Sequence, residues 1–317
     1  MIETHELTLQ PGLIVNQEFF DYPAMQESAK NWLFLARYRF GTGEFYGRHD
    51  GIQLHNMQFG HADRHEGMMF QGVSPKDCLT IAILQKNGGC VCINNLKMDT
   101  GDVIIIDNSK PYDFCSSHHT VMAIVSISKS LLVKSAPWLL DATDKNFKDK
   151  NSILSNTIES EWQSVLDNPN ISQSNDRLKI LKEKIVDAIK NTFEGQTGEA
   201  SHLTKGEQTA LKVKSFLLDS SDEDITIESL LKQFGISYKT LENSFKSLFG
   251  ITPKHFLILL KLNHAHEDLL LSELETTNIS DIAIKWGFSH FGRFSEQYKA
   301  LFGVLPSETL NRTLTRL

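Results

Sequence analysis

The chain has 317 residues, of which 40% are hydrophobic and 22% charged, and its formal net charge is -7. This length is sufficient for two domains with separate cores, and no apolar run of about 18 residues predicts a membrane span. The N-terminal segment "MIETHELTLQPG" lacks the basic and apolar pattern of a signal peptide, and the four cysteines indicate reduced core thiols, so we expect a cytoplasmic protein.

Residues 30–130 contain short apolar or alternating runs, among them "WLFLARYRF", "GIQLHNMQF" and "CLTIAIL". Turn residues separate these runs at intervals of about 8–12 residues, which predicts an antiparallel β-sandwich or barrel. The segment "GHADRHEG" (60–67) is polar throughout, and we interpret it as an exposed loop.

A barrel interior is a favourable place for a small ligand. For each candidate residue the alternative is ordinary core packing. The candidates are aromatic or cationic residues of these runs: Trp32, Arg37, Arg39, Phe45, Tyr46, His55, Phe70 and Tyr112.

Residues 151–194 change to a helical pattern. An apolar stripe recurs at three- and four-residue steps on its second half, at Leu178, Leu181, Ile185 and Ile189. Such a stripe fits a dimer interface and fits equally a helix packed on its own barrel. Residues 195–205 contain two glycines and no apolar periodicity, which is typical of a linker.

The C-terminal third contains one pattern twice. "LLKQFGISYKTLENSFKSLFGITP" and "IAIKWGFSHFGRFSEQYKALFGVLP" each consist of a short apolar-periodic helix, a glycine, a second amphipathic helix and Phe-Gly-x-x-Pro. We match Gly235 with Gly287 and the helix cap Ser237 with Ser289, and the offset shifts by one residue inside the second recognition helix. Each copy predicts a helix-turn-helix unit. One uninterrupted helix of about 20 residues, about 30 Å long, separates them.

These repeated segments resemble the DNA-binding domain of the AraC/XylS family of bacterial transcription regulators. "TLENSFKSLFGITP" and "KWGFSHFGRF" further resemble the ethanolamine-operon activators within that family. The sequence departs from the family pattern at Leu231, where Ala is usual, and at Asn243 and Glu296, where Arg is common. "MDTGDVIIIDNSKPYDF" (98–114) resembles, more loosely, the cupin-like sensor domains that precede this DNA-binding domain in the family.

The resemblance implies an α+β chain with an N-terminal cupin-like β-barrel sensor domain at 1–150 and a helical, possible dimerisation segment at 151–194. A linker at 195–205 and an all-α double helix-turn-helix domain at 206–317 would follow. It also implies a homodimeric activator with promoter DNA, RNA polymerase and an unknown small effector as partners, located in the bacterial cytoplasm with the nucleoid.

The recognition helices supply the expected DNA contacts. They are Tyr238, Lys239, Thr240, Glu242, Asn243 and Lys246 in the first copy, and His290, Phe291, Arg293, Gln297 and Lys299 in the second. Arg suits guanine, Asn and Gln suit adenine, and the later lysines suit phosphates. We expect Phe294 to lie in the core, and Phe291 fits either role. From Lys205 onward about 13 Lys and Arg oppose about 14 Asp and Glu, so the positive charge must be segregated.

Two other functions compete with a regulator: a cupin-type enzyme with an appended helical domain, and a helical adaptor that binds protein. Metal-binding cupins carry His-x-His followed by Glu and a later His, and that first spacing is absent around His61, His65 and His118-His119. We therefore expect no metal, no cofactor and no catalytic residues. The tandem repeat with its long connector argues against the adaptor.

Overall fold

The computed structural model describes residues 10–29, 31–41, 45–143, 145–199, 203–220, 225–272 and 277–312. The chain divides into two compact units. One comprises Met1–Arg37, Phe45–His65 and Met69–Ser201, and the other comprises Tyr38–Glu44, Glu66–Met68 and His202–Leu317. Among the helices of the described ranges, none has the length and apolarity needed to span a membrane.

The first unit is built from antiparallel strands. They are β1 (Ile14–Phe19), β2 (Leu33–Arg39), β3 (Gly47–Leu54), β4 (Met57–Arg64), β5 (Met68–Val73), β6 (Cys78–Asn87), β7 (Val91–Ile93), β8 (Leu96–Met98), β9 (Asp102–Asp107), β10 (Tyr112–Ser116), β11 (Thr120–Ser128) and β12 (Asn146–Lys148). One sheet has the order β1-β3-β4-β11-β6-β9-β12, and the other has the order β2-β5-β10-β7-β8. The expected β domain is therefore present.

Two details of the strand prediction are wrong. "GIQLHNMQF" is a hairpin rather than one strand, because Asn56 adopts a positive φ of 59° and turns the chain between β3 and β4. The first five residues of "GHADRHEG", Gly60 to Arg64, form part of strand β4 and are not an exposed loop. Strand β4 pairs with β3 on one side and β11 on the other, so these polar residues lie in the middle of the sheet.

Four helices accompany the strands: α1 (Tyr22–Ser28), α2 (Lys129–Ser135), α3 (Ile153–Asp167) and α4 (Asn175–Phe193). The α4 stripe is fully buried within the subunit, where it joins one core with α3 and the seven-stranded sheet. Its members Leu178, Leu181, Ile185 and Ile189 are each at most 3% exposed. Of the two alternatives for this stripe, the burial supports a helix packed on its own subunit. These four side chains are therefore unavailable to a dimer interface.

Part of the predicted linker is bonded to the sheet. Glu199 and Asn146 exchange two backbone hydrogen bonds of 2.8 and 2.9 Å, and the Gln196 amide bonds the backbone of Lys148 in β12. Residues 200–202 of the predicted linker lie outside the described residues.

The second unit is helical. Its helices are α5 (Lys205–Asp219), α6 (Ile227–Phe234), α7 (Tyr238–Phe249), α8 (Pro253–Leu271), α9 (Ile279–Lys285), α10 (Phe291–Phe302) and α11 (Pro306–Arg312). Side-chain caps begin several of them: Thr204 and Thr226 form capping boxes, and Ser237 accepts from the Thr240 N–H. The predicted long connector is α8, with 19 residues and no break.

His266 should make stability depend on pH. Burial lowers the pKa of His266 to about 4, and its Nδ1 bonds the Tyr298 hydroxyl while its ring stacks on Phe302 at 4.1 Å. The unfolded chain, with an ordinary histidine pKa near 6.5, binds more protons between those values. Stability is therefore full above about pH 6.5 and falls toward pH 4, by about 2 kcal/mol at pH 5.

Denaturant unfolding at pH 7.5 and pH 5.0 measures this loss of unfolding free energy. His266→Gln should lose much less stability between the two pH values than the parent, while His290→Gln, at an exposed position on α10's N-terminus, should behave as the parent does. An unchanged pH dependence in His266→Gln would assign the acid sensitivity to other buried histidines.

Leu181→Ala should destabilise the subunit itself. Removing a core leucine costs about 2–5 kcal/mol, and Leu181 is 3% exposed in the core shared by α3, α4 and the sheet. Ile180→Ala, on the 52% exposed neighbouring position, is the control and should change stability by less than about 0.5 kcal/mol. Sedimentation should show the same oligomeric size for both variants as for the parent; a Leu181→Ala protein as stable as the parent would contradict the core position of Leu181.

Candidate nucleic-acid interface and ligand cavity

The two helix-turn-helix units share one turn geometry. Gly235 and Gly287 both adopt positive φ, of 59° and 77°, as predicted. In each turn the next backbone N–H bonds back to the first helix: Ile236 N–H donates to Leu231 at 3.2 Å, and the Phe288 N–H makes the equivalent bond at 2.8 Å. The same local chemistry therefore redirects the chain at both copies.

The extra residue of the second copy lies in its turn, not inside its recognition helix. Helices α7 and α10 each have 12 residues, and each ends at a glycine with positive φ, Gly250 or Gly303. Helix α10 begins after His290, which has no side-chain cap, so the predicted cap at Ser289 is wrong. Ser237 therefore corresponds to His290.

This alignment pairs residues that the sequence comparison left unpaired. Tyr238 and Phe291 are the first residues of the two recognition helices, and both large aromatic side chains are exposed, at 42% and 44%. Thr240 takes the position of Arg293. Phe294, by contrast, is buried, as predicted.

The predicted DNA-contacting residues differ in availability. Nine of the eleven side chains are exposed, among them the aromatic Tyr238 and Phe291, while Glu242 and Gln297 are half-buried. Glu242 forms an ion pair of 2.8 Å with Lys246, and the Thr240 hydroxyl lies 2.9 Å from the Ser237 hydroxyl. The exposed members besides the aromatics are Lys239, Thr240, Asn243, Lys246, His290, Arg293 and Lys299. Across the described ranges no acidic side chain forms an ion pair with Lys239, Arg293 or Lys299.

Helix α8 carries both units. Near its start, Phe256 packs on Phe245 and Phe249 of α7 at centroid distances of 5.3 and 5.5 Å. Near its end, Asp268 accepts 2.8 Å hydrogen bonds from the Trp286 indole and from Lys285 of α9. The first recognition helix, α7, is thereby fixed near the start of α8, and α9 of the second unit is fixed near its end.

The first unit contains a cavity of about 100 Å³ between its two sheets. Trp32 and Tyr112, two of the predicted ligand residues, line it. Gly51, Gly60 and Ala62 also line it, and their small size explains why the space is open. A Cβ at Gly60 would lie 1.9 Å from the Asp50 carbonyl oxygen, so close strand approach requires glycine there.

The remaining predicted ligand residues do not line this cavity. Phe45 packs on Phe19 and Tyr22, Tyr46 donates to Glu18, and His55 is exposed in the β3–β4 turn. Arg39 and Phe70 are buried outside its lining, and the side chain of Arg37 lies outside the described residues.

Arg64 is the cavity residue that the sequence did not reveal. It is 4% exposed and lies over the faces of Phe70 and Phe114, 5.3 Å from each ring centre. Its Nη2 lies 3.5 Å from Nε2 of His49, and its Nε has no hydrogen-bond partner. Arg64 belongs to the segment interpreted as a loop. Gly60, Ala62 and Arg64 are spaced two residues apart and so lie on one face of a strand, and this spacing was the available sequence signal.

Asp63, His65 and His119 bring three possible metal ligands within 4.8 Å of one another. The two imidazole rings stack at 4.2 Å, and Asp63 Oδ1 lies 2.7 Å from His119 Nε2 and 3.5 Å from His65 Nε2. The hydrogen bond between Asp63 and His119 and the stacking of the two imidazole rings bring these three side chains together.

Residues 230–312 match the family model described as "Helix-turn-helix domain". Over 95 residues the chain is 34% identical to a probable thc operon regulatory protein of Rhodococcus erythropolis, covering 30% of this chain and 29% of that protein. It is 33% identical over 109 residues to a XylDLEGF operon transcriptional activator of Pseudomonas putida, covering 34% of each.

A solved structure of a probable AraC family transcriptional regulator from Rhodopseudomonas palustris is 31% identical, with 35% of this chain and 98% of that chain covered and a TM-score of 0.29. The chain spans about a third of the length of the two curated relatives. The C-terminal domain of this chain belongs to the AraC/XylS family of helix-turn-helix regulators.

Proposed function

We propose that this protein is a sequence-specific DNA-binding transcription regulator whose two recognition helices read successive major grooves. The observation that carries the proposal is the attachment of both helix-turn-helix units to one unbroken helix. Helix α8 is about 28 Å long at 1.5 Å per residue, close to the roughly 34 Å advance of one DNA turn.

The charges of the recognition helices support this function despite the acidic chain. Lys239, Arg293 and Lys299 are exposed cations without ion-pair partners among the described residues, so phosphates and base edges can take that place. In the first unit Lys246 is engaged by Glu242 at 2.8 Å. The second unit therefore offers the stronger cationic contact, and nonspecific binding should be weak.

A mobility-shift assay of the full chain tests the function. DNA from upstream of neighbouring genes should be bound in the presence of excess unrelated DNA, and Lys239→Ala combined with Lys299→Ala should reduce this binding. If the helical unit is folded and yet the protein binds no such upstream fragment specifically, the proposed regulatory function is refuted.

The partners beyond DNA belong to this proposal too. We infer a homodimer that recruits RNA polymerase as an activator and whose N-terminal unit senses a small molecule. The curated relatives are an operon regulatory protein and an operon transcriptional activator, which supports the activator part of this inference. The dimer contact must use a surface other than the buried α4 stripe.

Arg293 and Lys299 should make different kinds of DNA contact, Arg293 to a base and Lys299 to a phosphate. Arg293 lies in the first turn of α10, where a bidentate contact to guanine is available, so Arg293→Ala should cost about 1–3 kcal/mol and relax preference at one base pair. Lys299 lies two turns further along α10, so Lys299→Ala should weaken all sequences alike and reduce the salt slope by about one unit. Binding to a randomised operator library across a salt series measures both. If Arg293→Ala keeps the sequence preference of the parent, α10 positions the protein and α7 alone reads bases.

Tyr238 and Phe291 should contact thymine methyl groups at equivalent positions of two sites one helical turn apart. Both are exposed aromatics on the first position of a recognition helix, and an apolar side chain in the groove packs on the thymine methyl. Phe291→Ala and Tyr238→Ala should each weaken specific binding by about 1 kcal/mol, roughly fivefold.

Uracil substitution gives the matched test, since it removes only the methyl group. The parent should lose affinity on the substituted site, and the Ala variant should lose nothing further; Tyr238→Phe should behave as the parent. Equal thymine-to-uracil ratios for parent and Ala variants would show that these rings do not contact the methyl.

A further inference from the structure

Arg64 is a buried charge in the wall of the cavity. Its side chain is 4% exposed, yet its Nε has no hydrogen-bond partner and its Nη2 reaches only the His49 ring at 3.5 Å. A buried guanidinium without an anion is strongly unfavourable, because it loses its hydration without gaining a charge partner.

The nearby carboxylates are already engaged. Asp50 lines the cavity, but its two oxygens are bonded to the His61 ring at 2.8 Å and to Arg48 at 3.2 Å. Asp63 is adjacent in sequence, and its Oδ1 is bonded to His119. Over the described residues, no acidic side chain forms an ion pair with Arg64.

His49 cannot supply the missing negative charge and is held neutral. Ser28 donates its hydroxyl hydrogen to the Met25 carbonyl at 2.8 Å, so its oxygen accepts from His49 Nδ1, also at 2.8 Å. His49 Nε2 then carries the lone pair that faces Arg64. Burial, and secondarily the Arg64 charge, hold the pKa of His49 well below its ordinary value.

The walls define the rest of the ligand. Trp32, Phe34 and Tyr112 line the cavity, and its volume is about 100 Å³. A cavity of about 150 Å³ is known to accept benzene, so this smaller space suits an apolar body of fewer than six carbon atoms, such as a short or branched chain. The amide groups of Gln53 and Gln58 are bonded to protein atoms, which leaves Arg64 as the charged anchor.

We propose that this cavity binds a small apolar monocarboxylate, of about four to six carbon atoms, whose carboxylate pairs with Arg64. A monoanion matches the single cation, whereas a second negative charge would be buried without a partner. The inference names the effector class of the regulator proposed above; its regulatory meaning rests on that function, while the binding itself does not.

Calorimetric titration of the full-length protein tests the proposal with pentanoate, 3-methylbutanoate and cyclopentanecarboxylate, each compared with its neutral amide. At least one carboxylate should bind about tenfold to a hundredfold more tightly than its amide. Arg64→Met should remove that difference and leave amide binding unchanged, and Arg64→Lys should retain part of it. Arg177→Met, an exposed arginine on α4, is the matched control and should bind as the parent does.

Two further measurements separate a binding role from a structural one. The ligand-free Arg64→Met protein should unfold at the same temperature as the parent or higher, because it no longer buries an unpaired charge. Ala62→Leu, which fills the cavity, should abolish binding of all probes while circular dichroism shows an unchanged fold.

The proposal is overturned if no carboxylate of the panel binds, if the amides bind as well as the acids, or if Arg64→Met binds carboxylates with the affinity of the parent. Promoter binding is measured on the same preparations without ligand. If the protein binds carboxylates through Arg64 but binds no promoter DNA, the proposed regulatory function is refuted and the proposed carboxylate site stands.

Discussion

The attachment of two helix-turn-helix units to the opposite ends of α8 is the constraint on which the DNA-binding unit depends. Phe256 fixes the first unit through two aromatic contacts, and Asp268 fixes the second through the Trp286 indole and Lys285. An unbroken helix has a fixed length, because its rise per residue is constant. The number of residues between these two anchors therefore sets the separation of the two helix-turn-helix units. Under the proposed function, the length of α8 would set the spacing of the two DNA sites.

The helical unit was largely predictable from the sequence because its signals are local. A glycine that must adopt positive φ, as at Gly235 and Gly287, and a hydroxyl that caps the next helix, as at Ser237, act within a few residues. Local similarity also misled: Ser289 has the same neighbours as Ser237, but the chain continues one residue further before α10 begins. Only the helix ends show that Tyr238 and Phe291 occupy equivalent positions.

The β unit was predictable as a class and not in its details, because strand pairing joins residues that are distant in sequence. His61 and Arg64 look like loop residues until β4 is placed between β3 and β11. Similarly, the apolar stripe of α4 correctly predicted burial, but periodicity alone does not say what covers a stripe. In this chain α3 and the sheet cover Leu181 and Ile185. The cavity itself arises from small residues on paired strands, a property that no single segment displays.

The two proposed sites use the same chemistry in opposite surroundings. Arg293 is an exposed cation whose hydration is good, so DNA gains affinity from it mainly through geometry and counterion release. Arg64 is a cation whose hydration has been removed, so an anion that reaches it relieves an existing electrostatic cost. A ligand that binds only the folded state stabilises it by mass action. If the proposed carboxylate pairs with Arg64, the stability of the β unit would depend on that ligand, which is the property that a sensor domain requires.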